Sequence, residues 1–97
     1  MENKTDVIFR MFKGECIAIF PGECGTINPN TCMSYMHVGQ HGACVPSRVI
    51  GKSTLATFEE YRSLYQELFI IGYELRVVKV CSRRYRTVRQ AKLDRIK

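Results

Sequence analysis

Residues 35–44 hold Tyr35, His37, Gly39, Gln40, His41, Gly42 and Cys44, so two imidazoles, a carboxamide, a thiol and two glycines fall within ten positions. Metal binding would recruit Cys24, Cys32, His37, His41 and Cys44, all of them ligand types that zinc accepts. The spacing argues against it, because structural zinc sites usually carry a tight Cys-x2-4-Cys knuckle that this stretch lacks. On an extended chain His37 and His41 stand roughly 13 Å apart, and they could share an ion only if the chain folded back at Gly39 and Gln40. Nucleophilic catalysis would need a thiolate of Cys24, Cys32 or Cys44 within reach of an imidazole, with Gln40 or Asn30 orienting it. No local cysteine-enzyme signature accompanies these residues.

A ligand loop fits the composition better. Gly39 and Gly42 bracket Gln40 and His41, so backbone amides can approach a small anion or a partner protein closely. Tyr35 and His37 alternate with Met36 and Val38, which puts phenol and imidazole on one strand face and the apolar pair toward the core. The plain alternative is a strand end with a glycine bend. The expectation is a non-enzymatic binding module whose ligand contacts are Tyr35, His37, Gly39, Gln40, His41 and Gly42, with no metal and no cofactor.

The second candidate is a charge asymmetry. Up to Cys81 the basic residues are Lys4, Arg10, Lys13, Arg48, Lys52, Arg62, Arg76 and Lys79, and the acidic ones are Glu2, Asp6, Glu15, Glu23, Glu59, Glu60, Glu67 and Glu74; eight against eight leaves that stretch neutral. Residues 82–97 carry Arg83, Arg84, Arg86, Arg89, Lys92, Arg95 and Lys97 against Asp94, and seven minus one is the whole net charge of +6. Arginines around Tyr85 suit phosphates together with base stacking. Arg83, Arg84, Tyr85, Arg86, Arg89 and Lys92 are therefore the expected contacts of an alternative function, non-specific nucleic-acid binding. On a helical wheel Tyr85, Val88, Leu93 and Ile96 share an arc that Arg89 and Lys92 interrupt. This reads as a basic extension, 82–97, on a single domain spanning 1–81, and few core residues are expected beyond Cys81.

The elements that must position these groups follow from periodicity. Residues 7–13 and 16–20 are short β-branched and aromatic runs about a turn at Lys13–Glu15, a hairpin whose second strand is apolar on both faces and therefore central. Residues 21–32 are turn-formers almost throughout, and residues 33–38 form a third strand. Thr57 and Glu60 make a capping box. Tyr61, Leu64, Tyr65 and Leu68 then recur at helical spacing until Gly72, predicting a helix over 58–71 with a left-handed cap. Residues 74–81 form the last strand. The order β-β-β-α-β predicts an α+β domain, a small mostly antiparallel sheet covered on one face by one helix. Ile17, Ile19, Phe20, Tyr61, Leu64, Leu68, Leu75 and Val77 are the expected core. Gly51-Lys52-Ser53-Thr54 is not a phosphate-binding loop, since Pro46 stands where the pattern needs glycine.

The hairpin, residues 34–42 (SYMHVGQHG) and residues 56–61 (ATFEEY) together resemble a group of small uncharacterised proteins found in bacterial and phage genomes, over about residues 6–80. The resemblance implies a domain type and a mobile-element setting, and no activity. The first six residues lack the basic start and apolar core of a signal peptide, and no apolar run approaches the roughly 20 residues that span a bilayer. A cytoplasmic protein with no membrane partner is expected. Its five cysteines would then be reduced, with Cys16 and Cys81 as buried inert thiols.

Overall fold

The computed structural model describes residues 4–36 and 41–96. β1 (Thr5–Phe12) and β2 (Glu15–Cys24) form the predicted hairpin, joined by Lys13 and Gly14. Both turn residues have positive φ, 52° and 81°, which matches the right-handed twist of the flanking strands. β3 (Cys32–Tyr35) and β4 (His41–Cys44) pair antiparallel as a second hairpin. Residues 37–40, among them His37, Gly39 and Gln40, lie outside the described residues. α1 (Pro46–Gly51), β5 (Thr54–Leu55), α2 (Phe58–Ile71), β6 (Leu75–Val77) and α3 (Arg84–Ile96) complete the order.

The fold is α+β with a mostly antiparallel sheet. Its strands run β4-β3-β2-β1-β5, and β6 pairs in parallel with β1 on the same edge as β5. Strand alternation gives the sheet two apolar faces. On one, Val7, Phe9, Ala18, Phe20 and Tyr35 pack with Leu64 and Leu68 of α2. On the other, Ile8, Ile17, Ile19 and Cys32 pack with Val49 of α1. The second cover adds to the single predicted helix, and it forms because β1 and β2 are apolar on both sides and neither side tolerates water.

α2 has the predicted bounds. The Thr57 hydroxyl accepts from the Glu60 amide, and the Glu60 carboxylate accepts from the Thr57 amide. Gly72 ends it at φ 126°, wider than the left-handed cap expected and open to glycine alone. Tyr61 is only partly buried, stacked on Phe9 at 4.5 Å. Val77 is 39% exposed, so it leaves the predicted core, because β6 is an edge strand of three residues. The predicted strand 74–81 is cut short for a physical reason: the Val78 amide makes a last bond to the Val7 carbonyl at 2.9 Å, and the chain then crosses the second face, where Val78 and Cys81 pack on the Ile8–Ile19 cluster. No helix among the described residues is long and apolar enough to cross a membrane.

Three elements meet at Asp6. Its carboxylate accepts from Arg76 Nε of β6 at 2.6 Å and from the Tyr85 hydroxyl of α3 at 2.8 Å. The Arg76 bond holds the Asp6 carboxyl below its ordinary value, and burial opposes it. A folded carboxyl that binds its proton more weakly than the unfolded one adds stability above the ordinary value near 3.8, and this is lost as pH falls through the lower folded value. In urea titrations between pH 2 and 6, Asp6→Asn should therefore flatten the acid limb of the stability profile. An unchanged limb would show that the Asp6 bonds to Arg76 and Tyr85 contribute no stability.

Candidate functional site

The residues nominated around the glycine loop divide between the core, the ladder and the surface. Tyr35 is fully buried on the α2 face, not presented to a ligand, because its ladder position puts it on the side that Phe20 fills. Gly42 pairs with Ser34, whose hydroxyl donates to the Gly42 carbonyl at 3.0 Å. His41 is exposed, and its Nε2 lies 3.1 Å from the Tyr73 hydroxyl. His37, Gly39 and Gln40 lie outside the described residues, so no common surface can be built from the set.

The same ladder separates imidazole from thiol. Tyr35 pairs with His41 on the α2 face, while Cys32 pairs with Cys44 on the other. His41 and Cys44 are three residues apart on one strand and so point to opposite sides. The sheet therefore stands between His41 and Cys44, separating them as a catalytic pair and as co-ligands of one metal ion. Among the described residues no group of three or more His, Cys, Asp or Glu side chains is placed to hold a metal ion.

The basic extension is not a loose tail. Residues 84–96 form α3, which lies along β2, with Arg89 at 4% and Leu93 at 8% exposure. The inward stripe is Tyr85, Arg89, Lys92 and Leu93, spaced i, i+4, i+7 and i+8. The two cations that break the apolar arc are themselves turned to the protein. Arg89 Nη1 donates to the Pro21 carbonyl at 2.6 Å and Nε to the Pro29 carbonyl at 3.0 Å. Lys92 Nζ donates to the Gly22 carbonyl at 2.8 Å and to the Glu23 carboxylate. The β2 backbone is irregular between Phe20 and Cys24, and that irregularity faces Pro21 and Gly22 carbonyls toward these donors. Tyr85 packs beside Gly22 with its hydroxyl on Asp6, so it is not a stacking platform. Of the six nominated nucleic-acid contacts, Tyr85, Arg89 and Lys92 are thus structural anchors.

Arg83, Arg84 and Arg86 remain exposed at the start of α3. Ser82 caps the helix, its hydroxyl accepting from the Arg84 amide at 3.1 Å. The first turn carries no acidic residue, although the helix dipole favours one there. Arg83, Arg86 and Arg89 line an open cleft of about 880 Å³ whose far wall is α1, with Arg48 and Ser47. Asn28 and Asn30 also line it, and among the described residues no Asp or Glu does. Arg86 Nε donates to Asn30 Oδ1 at 3.0 Å. The loop that carries both asparagines is fixed by Thr26, Asn28 and Thr31, including a 2.8 Å contact between the two threonine hydroxyls. It is also pressed on β3: a Cβ at Gly25 would stand 2.4 Å from the Cys32 carbonyl oxygen.

Arg48 escaped the sequence reading because α1 is only six residues long, and Asn30 was weighed there only as an orienting partner for a catalytic cysteine. Pro46 at its first turn was the available signal. Arg10 secures α1 from β1, donating to the Ile50 and Ser53 carbonyls at 3.2 and 2.8 Å.

Beneath the cleft lies a row of thiols. Cys24, Cys32 and Cys44 are neighbours across β2, β3 and β4, and Cys81 lines the cleft. All five cysteines are free thiols. Cys32 Sγ is 3.7 Å from Cys44 Sγ. The Cys32 thiol donating to it holds the Cys44 thiol below its ordinary value, with help from Ser34 and Arg89 against burial. Cys32 is pushed up in return. Burial pushes Cys81 up, and burial with nearby Glu60 raises Cys16 to about 11.

Comparisons of the chain with protein-family models, with curated proteins and with solved structures find no match.

Removing the Arg89 side chain should strand the Pro21 and Pro29 carbonyls, at roughly 1–3 kcal/mol for each buried acceptor left without its donor. Arg89→Ala is expected to lower unfolding free energy by about 3 kcal/mol in a urea titration. Truncation after Ser82, which the sequence alone would tolerate, should abolish the cooperative transition, since α3 covers part of β2. A truncated chain of unchanged stability would show that α3 is dispensable.

Proposed function

We propose that this chain is a non-enzymatic nucleic-acid-binding protein that grips the phosphate backbone in the cleft between α1 and α3. The supporting observation is the lining: Arg48 on one wall, Arg83 and Arg86 on the other, the buried Arg89 beneath adding charge while its donors hold the Pro21 and Pro29 carbonyls, and no carboxylate among the described lining residues. Guanidinium groups present planar, paired donors that match phosphate oxygens. The acid-free first turn of α3 adds the positive end of a helix dipole to the same space. Asn28, Asn30, Ser47 and Ser82 supply neutral polar groups at the rim. The charge therefore acts from a shaped groove with two walls, not from a flexible tail.

Phosphate contacts of this kind position a strand and carry no sequence information. Binding should be largely independent of base sequence and strongly salt-dependent. Each engaged phosphate adds about −0.9 to the log-log salt slope on duplex and about −0.7 on single strands.

Fluorescence anisotropy with labelled duplex and single-stranded oligonucleotides of several sequences tests this. Arg83→Glu with Arg86→Glu should weaken binding by at least about tenfold at low salt. Arg48→Glu, on the opposite wall, should flatten the salt slope by about one contact. Binding that ignores Arg48 would confine the interaction to α3, and no binding at low salt would end the proposal.

A further inference from the structure

The thiol row beneath the cleft is not needed for phosphate binding, yet its geometry is specific. We propose that Cys32 and Cys44 form a site of reversible covalent modification, closing a cross-strand disulfide by exchange with a low-molecular-weight disulfide. The two residues are directly opposed on β3 and β4. Opposed residues of an antiparallel pair have Cα atoms about 4.5–5.5 Å apart, within the 4.4–6.8 Å or so that disulfides span. The sulfurs already approach to 3.7 Å, so bonding needs side-chain rotation and no strand movement.

The surroundings give each thiol a role. β4 is an edge strand with no neighbour beyond it among the described residues, and Cys44 on it is partly exposed. Cys32 is fully buried. Cys44 is therefore where a reagent enters, and Cys32 is the resolving thiol. The adjacent Cys32 thiol, with Ser34 and Arg89, favours the Cys44 thiolate, the attacking form, against burial. The Cys44 thiolate attacks one sulfur of the reagent disulfide, that S–S bond breaks, and one reagent thiolate leaves. The Cys32 sulfur, giving up its proton, then attacks Cys44 Sγ and expels the second reagent thiolate. Two protein thiols are oxidised, one reagent disulfide is reduced to two thiols, and the two protein protons end on them.

The competing thiols are placed differently. Cys16 lies on the α2 face. Cys24 also pairs with Cys32, but its Sγ is turned to the Arg89 carbonyl at 3.4 Å. The inference asks nothing of the phosphate reading and stands or falls separately.

The test treats the folded full-length protein with a buffer of oxidised and reduced glutathione and follows intact mass and free-thiol count. Two of the five thiols should disappear with the loss of two hydrogens and no retained glutathione. Cleavage after Tyr35 should leave the Cys32 fragment linked to the Cys44 fragment. Cys24→Ser should behave as the parent, Cys44→Ser should keep all of its thiols, and Cys32→Ser should stop with one glutathione on Cys44. A link through Cys24 or Cys81, equal thiol loss in Cys44→Ser, or no loss at all would overturn the proposal. If Cys32→Ser fails to fold, the linkage map with the Cys24 and Cys44 variants still decides it.

Discussion

A single buried guanidinium sets much of what surrounds it. Arg89 is almost wholly removed from water, and a charge in that position is tolerated only where hydrogen bonds replace its hydration. The Pro21 and Pro29 carbonyls provide them, one from the irregular end of β2 and one from the loop before β3. Neither carbonyl belongs to a regular ladder position, and each would itself be costly to bury without a donor. The need is mutual. It fixes α3 against β2, fixes the loop that carries Asn28 and Asn30, and holds positive charge close to Cys32 and Cys44.

The cleft is a consequence of how the second sheet face is covered. One long helix suffices on the first face, where α2 presents a continuous apolar stripe. The second face is covered piecemeal, by a short α1 tied to β1 through Arg10, by residues 78–81, and by α3. Short covers do not meet edge to edge, and the gap between α1 and α3 is the groove. Its walls take their arginines from opposite parts of the chain, Arg48 and Arg83 being 35 positions apart. The charge on α3 is divided by helix geometry: Arg89 and Lys92 turn inward and hold the helix, while Arg83 and Arg86 face the groove at its start.

Edge position explains the thiols. Cys32 and Cys44 occupy the last ladder pair before the chain turns into α1, where among the described residues only the four-residue edge strand β4 lies beyond β3. An isolated buried thiol behaves as a small hydrophobe; two opposed across a ladder, with one partly exposed, form a chemically distinct unit.

Hydrophobic period and local capping determined much of the fold from the sequence alone. The β1–β2 hairpin, the 58–71 helix with its Thr57–Glu60 box and Gly72 stop, and the α+β class all rest on contacts between residues close in sequence, which is why they were legible. The apolar character of 16–20 on both faces was legible too, and it required a second cover that no amphipathic segment advertised. Tertiary structure alone decided that cover. α3 docks through a stripe in which two of the four inward positions are cations, and a helical wheel scores those positions as solvent because it cannot see the Pro21, Gly22 and Pro29 carbonyls waiting opposite. The pairing of Cys32 with Cys44 and the burial of Tyr35 likewise follow from the register of a second hairpin, which one residue of slip would reverse. The sequence located the excess charge. Which arginines are structural and which face a groove depended on carbonyls brought close by the sheet.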